Sequence, residues 1–159
     1  MSITYLEAIR EAQAKLLRED ERVFIYGQDV GGTFGGAFKA TKGLAKEFPN
    51  RVLNTPISED AIVGTAIGAA IKGMRPIVEM QFADFSSTAL NQILNHAGTH
   101  YWRTNIPVPI SLVETGDIVS ATISDEDDRR SSSKLGTGSR LLHNPERSPF
   151  TSFTATSIR

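Results

Sequence analysis

The amino-acid sequence predicts an α/β protein with a doubly wound parallel sheet. Over residues 1–113, short apolar runs typical of buried strands alternate with segments of helical period. Residues 61–73 are rich in glycine and alanine, which lets a helix lie close against a sheet. The chain has 159 residues, enough for one domain with its own hydrophobic core.

The first helix and strand have clear signals. Thr4 and Glu7 have the spacing of a capping box, in which each side chain accepts a hydrogen bond from the backbone N–H of the other residue. The apolar residues that recur at helical spacing after the cap are Leu6, Ile9, Ala12, Leu16 and Leu17. The run 23–27, Val-Phe-Ile-Tyr-Gly, is then typical of a short buried strand.

A glycine-rich loop, a short helix and a second strand follow. Residues 31–36 contain four glycines, too many for a regular element, because glycine loses much backbone entropy on ordering. The pattern predicts a helix over 41–48 and a strand over 51–54. The loop lacks the glycine order and the lysine of known phosphate-binding motifs, so a turn is favoured over a phosphate cradle.

The alternation continues through the middle of the chain. A helix is expected over 59–72, with Ser58 as its N-cap. Strands are predicted over 76–82 and 108–113, and a helix over 87–102 lies between them. The residues expected on one face of that helix are Leu90, Ile93, Leu94, Ala97 and Tyr101.

The composition changes after about residue 113. Residues 115–159 hold 15 Ser or Thr, against 13 in the first 114, and no periodic pattern persists there. Such a segment buries too little apolar surface to offset its chain entropy. We therefore expect a domain over 1–113 and a disordered or misassigned tail over 114–159. A shifted reading frame or a mispredicted gene end would explain the abrupt join, with a natural divergent tail as the alternative.

Composition excludes several classes of function. The net charge of −1 leaves no basic excess to bind nucleic acid or an anionic membrane surface. The absence of cysteine removes disulfides, thiolate metal sites and cysteine nucleophiles. No apolar run approaches the roughly 20 residues that span a bilayer, and residues 1–7 lack the pattern of a secretory signal. We expect a soluble protein of the cytoplasm, or of the mitochondrial matrix in a eukaryote.

One carboxylate is the best candidate for a chemical centre. Glu59 lies in the first turn of a helix, just past the predicted strand 51–54, and open α/β sheets bind ligands at that edge. The structural alternative is that Glu59 only stabilises the helix dipole, by about 0.3–1 kcal/mol. Metal binding is disfavoured at His96 and His100, which have no acid at ligand spacing, and at Asp125–Asp128, a polar run typical of solvated charge.

Motifs distributed over about residues 3–113 share one order along the chain. They are Thr4-Tyr5-Leu6-Glu7-Ala8-Ile9, Asp20-Glu21-Arg22-Val23-Phe24, Gly35-Gly36-Ala37-Phe38-Lys39-Ala40-Thr41-Lys42-Gly43-Leu44, Arg51-Val52-Leu53-Asn54-Thr55-Pro56-Ile57-Ser58-Glu59, Ala61-Ile62-Val63-Gly64, Gly73-Met74-Arg75-Pro76, Glu79-Met80-Gln81-Phe82-Ala83-Asp84-Phe85 and Asn91-Gln92-Ile93. Together they resemble the beta subunit of the decarboxylating first component of 2-oxo acid dehydrogenase complexes. Members of that family are thiamine-diphosphate enzymes that act on pyruvate or on branched-chain 2-oxo acids.

The resemblance implies a transketolase-like pyrimidine-binding domain that serves oxidative decarboxylation of a 2-oxo acid. It implies that Glu59 is catalytic, because it hydrogen-bonds a ring nitrogen of the thiamine diphosphate aminopyrimidine and favours the imino tautomer. Phe85 would stack on the pyrimidine, with Gln81 nearby. The implied partners are an alpha subunit, which forms a heterotetramer and holds the diphosphate and magnesium, and a lipoyl acyltransferase. No metal site is expected on this chain.

Two departures from the family pattern affect these expectations. Gln28 stands where relatives have an acid that helps connect two active sites, and an amide cannot exchange protons in the same way. No His-Ser-Gln motif or second domain is recognisable after residue 113, so this chain alone is expected to be inactive. Two alternatives stay open: a non-catalytic module that keeps the alpha-subunit contact surface, and a nucleotide-binding domain that uses the glycine loop.

Overall fold

Four parallel strands form the centre of the molecule. A computed structural model describes residues 4–115, so nearly all of the predicted tail, including Asp125–Asp128, lies outside the described residues. The strands are β1 (Val23–Gly27), β2 (Val52–Asn54), β3 (Arg75–Met80) and β4 (Ser111–Glu114). They pair in the order β2-β1-β3-β4, and every pair is parallel. The predicted fold class is confirmed.

Helical segments connect the strands and cover the sheet on both faces. The α-helices are α1 (Tyr5–Glu19), α2 (Leu44–Glu47), α3 (Glu59–Ile71) and α4 (Gly98–Thr104), with a 3₁₀ helix at Ala83–Ser87 and a π-helix at Gln92–Ala97. Successive residues of β3 point to opposite faces, so Ile77 packs in one apolar cluster and Val78 in the other. The first cluster includes residues of α1 and α2, and the second includes residues of α3 and the π-helix. This two-sided core is the doubly wound arrangement.

The first helix begins as predicted but turns a different face inward. Thr4 Oγ1 accepts a hydrogen bond from the N–H of Glu7 at 3.2 Å, and a Glu7 carboxylate oxygen accepts the N–H of Thr4 at 2.8 Å. The buried residues of α1 are Gln13, Ala14 and Leu17. Leu16 is 46% exposed, so its predicted place on the inner face is wrong. Adjacent helical residues point about 100° apart, and here Leu17 faces the core.

Helix α3 begins where predicted but without the predicted side-chain cap. Ser58 occupies the N-cap position, yet its hydroxyl accepts no hydrogen bond from the N–H groups of the helix. Its torsions, φ −165° and ψ 85°, differ from those of the capping residue Thr4, φ −71° and ψ 157°. The expectation of a Ser58 side-chain cap is therefore wrong.

The segment after β3 is less regular than the single helix predicted over 87–102. It contains a 3₁₀ turn, then a π-helix, in which each N–H reaches one residue further back, and then α4. The buried face of this segment also differs from the predicted one. Ile93 and Ala97 lie in the core, whereas Leu90 and Leu94 are 47% and 44% exposed, against the predicted face.

The strand order places a switch point between β1 and β3. The chain leaves β1 for β2 on one side and then crosses back to β3 on the other. Open α/β sheets bind ligands in the crevice outside the carboxyl ends of the strands at such a point. Within residues 4–115, no helix has the length and hydropathy needed to cross a membrane.

Candidate functional site

The carboxylate of Glu59 lies at the carboxyl edge of the sheet, partly exposed to solvent. Its Oε1 accepts a hydrogen bond from Nε2 of Gln28 at 2.9 Å. Its Oε2 is 3.4 Å from Oγ1 of Thr88, a long hydrogen bond. The Thr88 hydroxyl has a closer acceptor, the backbone carbonyl of Phe85 at 2.7 Å. Glu59 Oε2 therefore keeps most of its capacity to accept a hydrogen bond from a ligand.

Backbone contacts bring Gln28 and Glu59 together. Gln28 follows the last residue of β1, and Glu59 opens the helix that follows β2. The N–H of Thr55 donates to the carbonyl of Gly27 at 2.9 Å, which extends the β1–β2 pairing one residue past β2. The side chain of Asn54 accepts the N–H of Gly31 at 2.6 Å and ties the loop after β1 to the end of β2. The two chain segments that leave the sheet here are thus fixed against each other.

Aromatic side chains line the other wall of this region. The rings of Phe82 and Phe85 lie edge to face, with centroids 5.6 Å apart, and Phe38 contacts Phe82 at 5.3 Å. Phe82 is 37% exposed. The hydroxyl of Thr88 touches both the backbone of Phe85 and the carboxylate of Glu59. Thr88 therefore connects the carboxylate of Glu59 to the backbone of Phe85, the two residues predicted for the site.

The third predicted site residue, Gln81, lies directly after β3 and is half-buried. Within residues 4–115, its side chain takes part in none of the hydrogen bonds found. The bonds of Glu59 and Thr88 described above do not involve it. Its proposed place near the cofactor therefore depends on its position at the end of the strand.

Sequence reasoning missed a second acid at this end of the sheet. Glu79 is only 2% exposed, and Oγ1 of Thr115 donates a hydrogen bond to its Oε1 at 3.0 Å. Its Oε2 has no hydrogen-bond partner within the described residues. Burial raises the pKa of Glu79 to about 7, while the Thr115 hydrogen bond acts in the opposite direction. The only sequence signal was a charged residue inside an apolar strand.

The glycine loop packs directly on Glu79. Gly36 has φ +77°, and a Cβ added to it would lie 2.7 Å from Oε1 of Glu79. The N–H of Gly36 already donates to the carbonyl of Asp29 at 2.8 Å, and that of Gly31 is held by Asn54. A phosphate would find these two N–H groups occupied and a buried carboxyl behind the loop. The geometry favours the turn interpretation of residues 31–36.

No cluster of potential metal ligands is found in the described part of the chain. Among residues 4–115, no three His, Cys, Asp or Glu side chains stand close enough to hold a metal ion. That search includes His96 and His100, which lie in the π-helix and in α4.

Comparison with known proteins identifies the domain. Residues 1–116 match the family described as transketolase, pyrimidine binding domain. The chain is 50% identical over 104 residues to the 2-oxoisovalerate dehydrogenase subunit beta of Bacillus subtilis, an overlap of 65% of this chain and 32% of that protein. It is 43% identical over 115 residues to the chloroplastic pyruvate dehydrogenase E1 component subunit beta-3 of Oryza sativa, covering 72% of this chain and 29% of the relative.

A third relative comes from Mycobacterium tuberculosis H37Rv. Its 3-methyl-2-oxobutanoate dehydrogenase subunit beta is 38% identical over 125 residues, which cover 76% of this chain and 36% of that protein. The chain thus spans about a third of the length of these relatives. The family resemblance inferred from the motifs is confirmed, and the chain belongs to the transketolase pyrimidine-binding domain family.

Proposed function

We propose that this chain provides the pyrimidine-binding domain of a 2-oxo acid dehydrogenase beta subunit. The complete enzyme would decarboxylate a branched-chain 2-oxo acid or pyruvate oxidatively and pass the acyl group to a lipoyl acyltransferase. Support comes from the names of the relatives, which are beta subunits of branched-chain and pyruvate dehydrogenases. The proposed compartment is the cytoplasm, or the mitochondrial matrix in a eukaryote.

The single observation that carries this proposal is the position of the Glu59 carboxylate. It stands at the carboxyl edge of the sheet with Oε1 held by Gln28 and Oε2 bonded only weakly by Thr88. A carboxylate fixed through one oxygen leaves the other in a defined place for a ligand donor. An N–H of a nitrogen heterocycle is a donor of the right kind.

The donor set fits an aminopyrimidine. Glu59 supplies an anionic acceptor, and Phe85, whose backbone carbonyl shares the Thr88 hydroxyl with Glu59, supplies an aromatic ring, a combination suited to a flat heterocycle with polar edges. Thiamine diphosphate, when bound, supplies the electron sink for decarboxylation. Glu59 would hold a proton at the ring nitrogen, Phe85 would orient the ring plane, and Gln81 would lie beside it.

Partners follow from the same proposal. An alpha subunit would hold the diphosphate and its magnesium, so the catalytic site would form only between two chains in a heterotetramer. The exposed side chains near the site suit such a contact: Ile57, next to the α3 N-terminus, is 82% exposed, and Phe82 is 37% exposed.

The test is Glu59→Gln in the complex of this chain with its alpha subunit. Gln has the same shape but cannot carry the charge or exchange the proton, so decarboxylation should fall by about 10²–10⁴-fold. The measurement is the rate of carbon dioxide release, together with the equilibrium affinity for thiamine diphosphate. Near-normal decarboxylation by the variant would refute the role of Glu59.

The matched control is Asp60→Asn. Asp60 is the next acid in the first turn of α3, exposed and hydrogen-bonded by Gln92 at 3.1 Å. Both substitutions remove one charge from the helix N-terminus, so both weaken the helix by a similar small amount. Only Glu59→Gln should abolish activity. A wild-type complex that assembles and binds no thiamine diphosphate would instead favour a non-catalytic interaction module.

A further inference from the structure

Gln28 is the amide that stands where the family pattern has an acid. It is 8% exposed and lies just past β1, beneath the N-terminus of α3. Its Nε2 is 2.9 Å from Oε1 of Glu59, a good distance for a hydrogen bond to a charged acceptor. The sequence indicated only that Gln28 interrupts a chain of carboxylates. The structure shows a direct contact with the proposed catalytic residue.

We infer that Gln28 is a positioning residue that keeps Glu59 in a single orientation with Oε2 as the free acceptor. The inference rests on the proposed function of Glu59. An amide –NH₂ group can donate but cannot take up a proton, so it always presents a hydrogen to Oε1. An acid at position 28 would donate a hydrogen bond to Oε1 only while it is protonated. Two ionised carboxylates at this distance repel each other. Gln28 therefore offers Glu59 the same donor at every pH, which an acid at position 28 would not do.

The other groups around Glu59 leave this task to Gln28. Thr88, after the 3₁₀ helix, donates mainly to a backbone carbonyl, and on α3 itself the neighbouring acid Asp60 is bonded by Gln92 of the π-helix. The salt bridges found within residues 4–115 involve Glu19, Asp20 and Glu47, not Glu59.

The surrounding elements carry groups of both signs: Arg75 begins β3, at the end of the strand away from the site, His96 lies in the π-helix, and three acids belong to the same part of the fold. The acids are Asp29 after β1, Glu79 on β3 and Asp84 in the 3₁₀ helix. The buried amide of Gln28 holds Glu59 by a hydrogen bond without adding a charge to this group of residues.

The test replaces the amide by an acid of the same shape, Gln28→Glu, in the full chain. Urea unfolding is followed at several values between about pH 5 and about pH 8, and the unfolding equilibrium constant is divided by that of the wild type at each pH. Near pH 5 the new carboxyl is still protonated and donates to Glu59, so the ratio of the two unfolding constants should stay close to one. At the alkaline end two ionised carboxylates face each other, and the ratio should rise by about 10–100-fold, as one to two pKa units imply.

Gln92→Glu is the matched control. This substitution also places a second carboxylate against an acid, here Asp60. The pair is exposed, so solvent screens the repulsion. Its ratio should change by less than about threefold over the same range. A Gln28→Glu ratio that follows the Gln92→Glu ratio would overturn the inference.

Gln28→Met keeps the test decisive if the acid variant does not fold. It removes the donor without adding charge, at similar volume. In the complex with the alpha subunit, it should weaken binding of thiamine diphosphate by about tenfold, the effect of one hydrogen bond to a charged group. Unchanged affinity would count against positioning. The urea series contains no cofactor, so it can succeed even where the Glu59→Gln experiment refutes the proposed function.

Discussion

Within residues 4–115, Glu79 has the largest shift in pKa and therefore couples folding to pH most strongly. Its carboxyl is buried with one oxygen bonded by Thr115 and the other without a partner in the described residues. Burial raises the pKa of Glu79 from 4.5 to about 7, so the folded protein binds a proton more tightly than the unfolded chain does. This tighter proton binding stabilises the folded state. The stabilisation is fully present below about pH 4.5 and is lost as the pH rises through about 7.

We expect Glu79→Gln to flatten this dependence. In the wild type, the free energy of unfolding should fall by at most about 3 kcal/mol between about pH 4.5 and about pH 8, as the shift of the Glu79 pKa implies. Gln cannot ionise, so the variant should lose this slope. Urea unfolding of both proteins across the range measures it. Glu11→Gln, on the exposed side of α1, is the control and should keep the wild-type slope, whereas a steep slope in Glu79→Gln would refute the assignment.

For single residues, the sequence suggested which side chains to consider but not the contacts between them. Glu59 and Phe85 were predicted from their motifs, and in the structure the Thr88 hydroxyl contacts the Glu59 carboxylate and the backbone carbonyl of Phe85. Thr88 was missed because its role depends on a 3₁₀ turn that places residue 88 against the carbonyl of Phe85. The bond from Gln28 to Glu59 was missed because it depends on which two strands are neighbours, which a linear sequence does not state.

Among the elements, α3 positions Glu59 and packs most closely on the sheet. The sequence predicted that its glycines and alanines together permit this approach. The buried small residues are Ala66 and Ala70, whereas Gly68 is exposed and a Cβ added there would have no neighbour within 4 Å. A Cβ at Gly64 would lie 3.2 Å from the side-chain amide of Gln92. The close approach therefore depends on alanine, and the two glycines differ in their surroundings.

The two glycines of α3 give a paired prediction. Gly68→Ala should raise the free energy of unfolding by about 0.5–1 kcal/mol, because it removes backbone freedom from the unfolded chain and meets no obstacle. Gly64→Ala should give a smaller gain, because Gln92 must move and its bond to Asp60 is disturbed. Urea unfolding of the full chain compares them. A larger gain from Gly64→Ala would contradict this account of the packing.

The segment after β3 shows what an apolar pattern leaves open. The pattern predicted one helix with Leu90 and Leu94 on the inner face. Sequence spacing does not distinguish hydrogen bonds to the fourth residue back from those to the fifth, and the N–H of Gly98 reaches the carbonyl of Ile93. Leu90 and Leu94 precede Gly98, so the apolar pattern itself did not distinguish which of its residues face the core. The boundaries of β1 were predicted correctly because its signal is a simple apolar run.

For the whole molecule, the order of the strands determines where the site lies. Alternation of strands and helices predicted a parallel sheet, but not the order β2-β1-β3-β4. That order puts the switch point between β1 and β3, with Gln28 and Gln81 directly after the two strands. The chain spans about a third of the length of its relatives, and in the proposed enzyme the cofactor lies between this domain and an alpha subunit.

Binding of the aminopyrimidine nitrogen by Glu59 can be tested by a two-by-two comparison of affinities. The complex with the alpha subunit, as wild type and as Glu59→Ala, is titrated with thiamine diphosphate and with an analogue that has C–H in place of that nitrogen. The wild type should prefer the natural cofactor by about 10–100-fold, the value of one hydrogen bond to a charged group. Glu59→Ala should bind both molecules equally well. The same preference in both proteins would show that Glu59 does not bind this nitrogen.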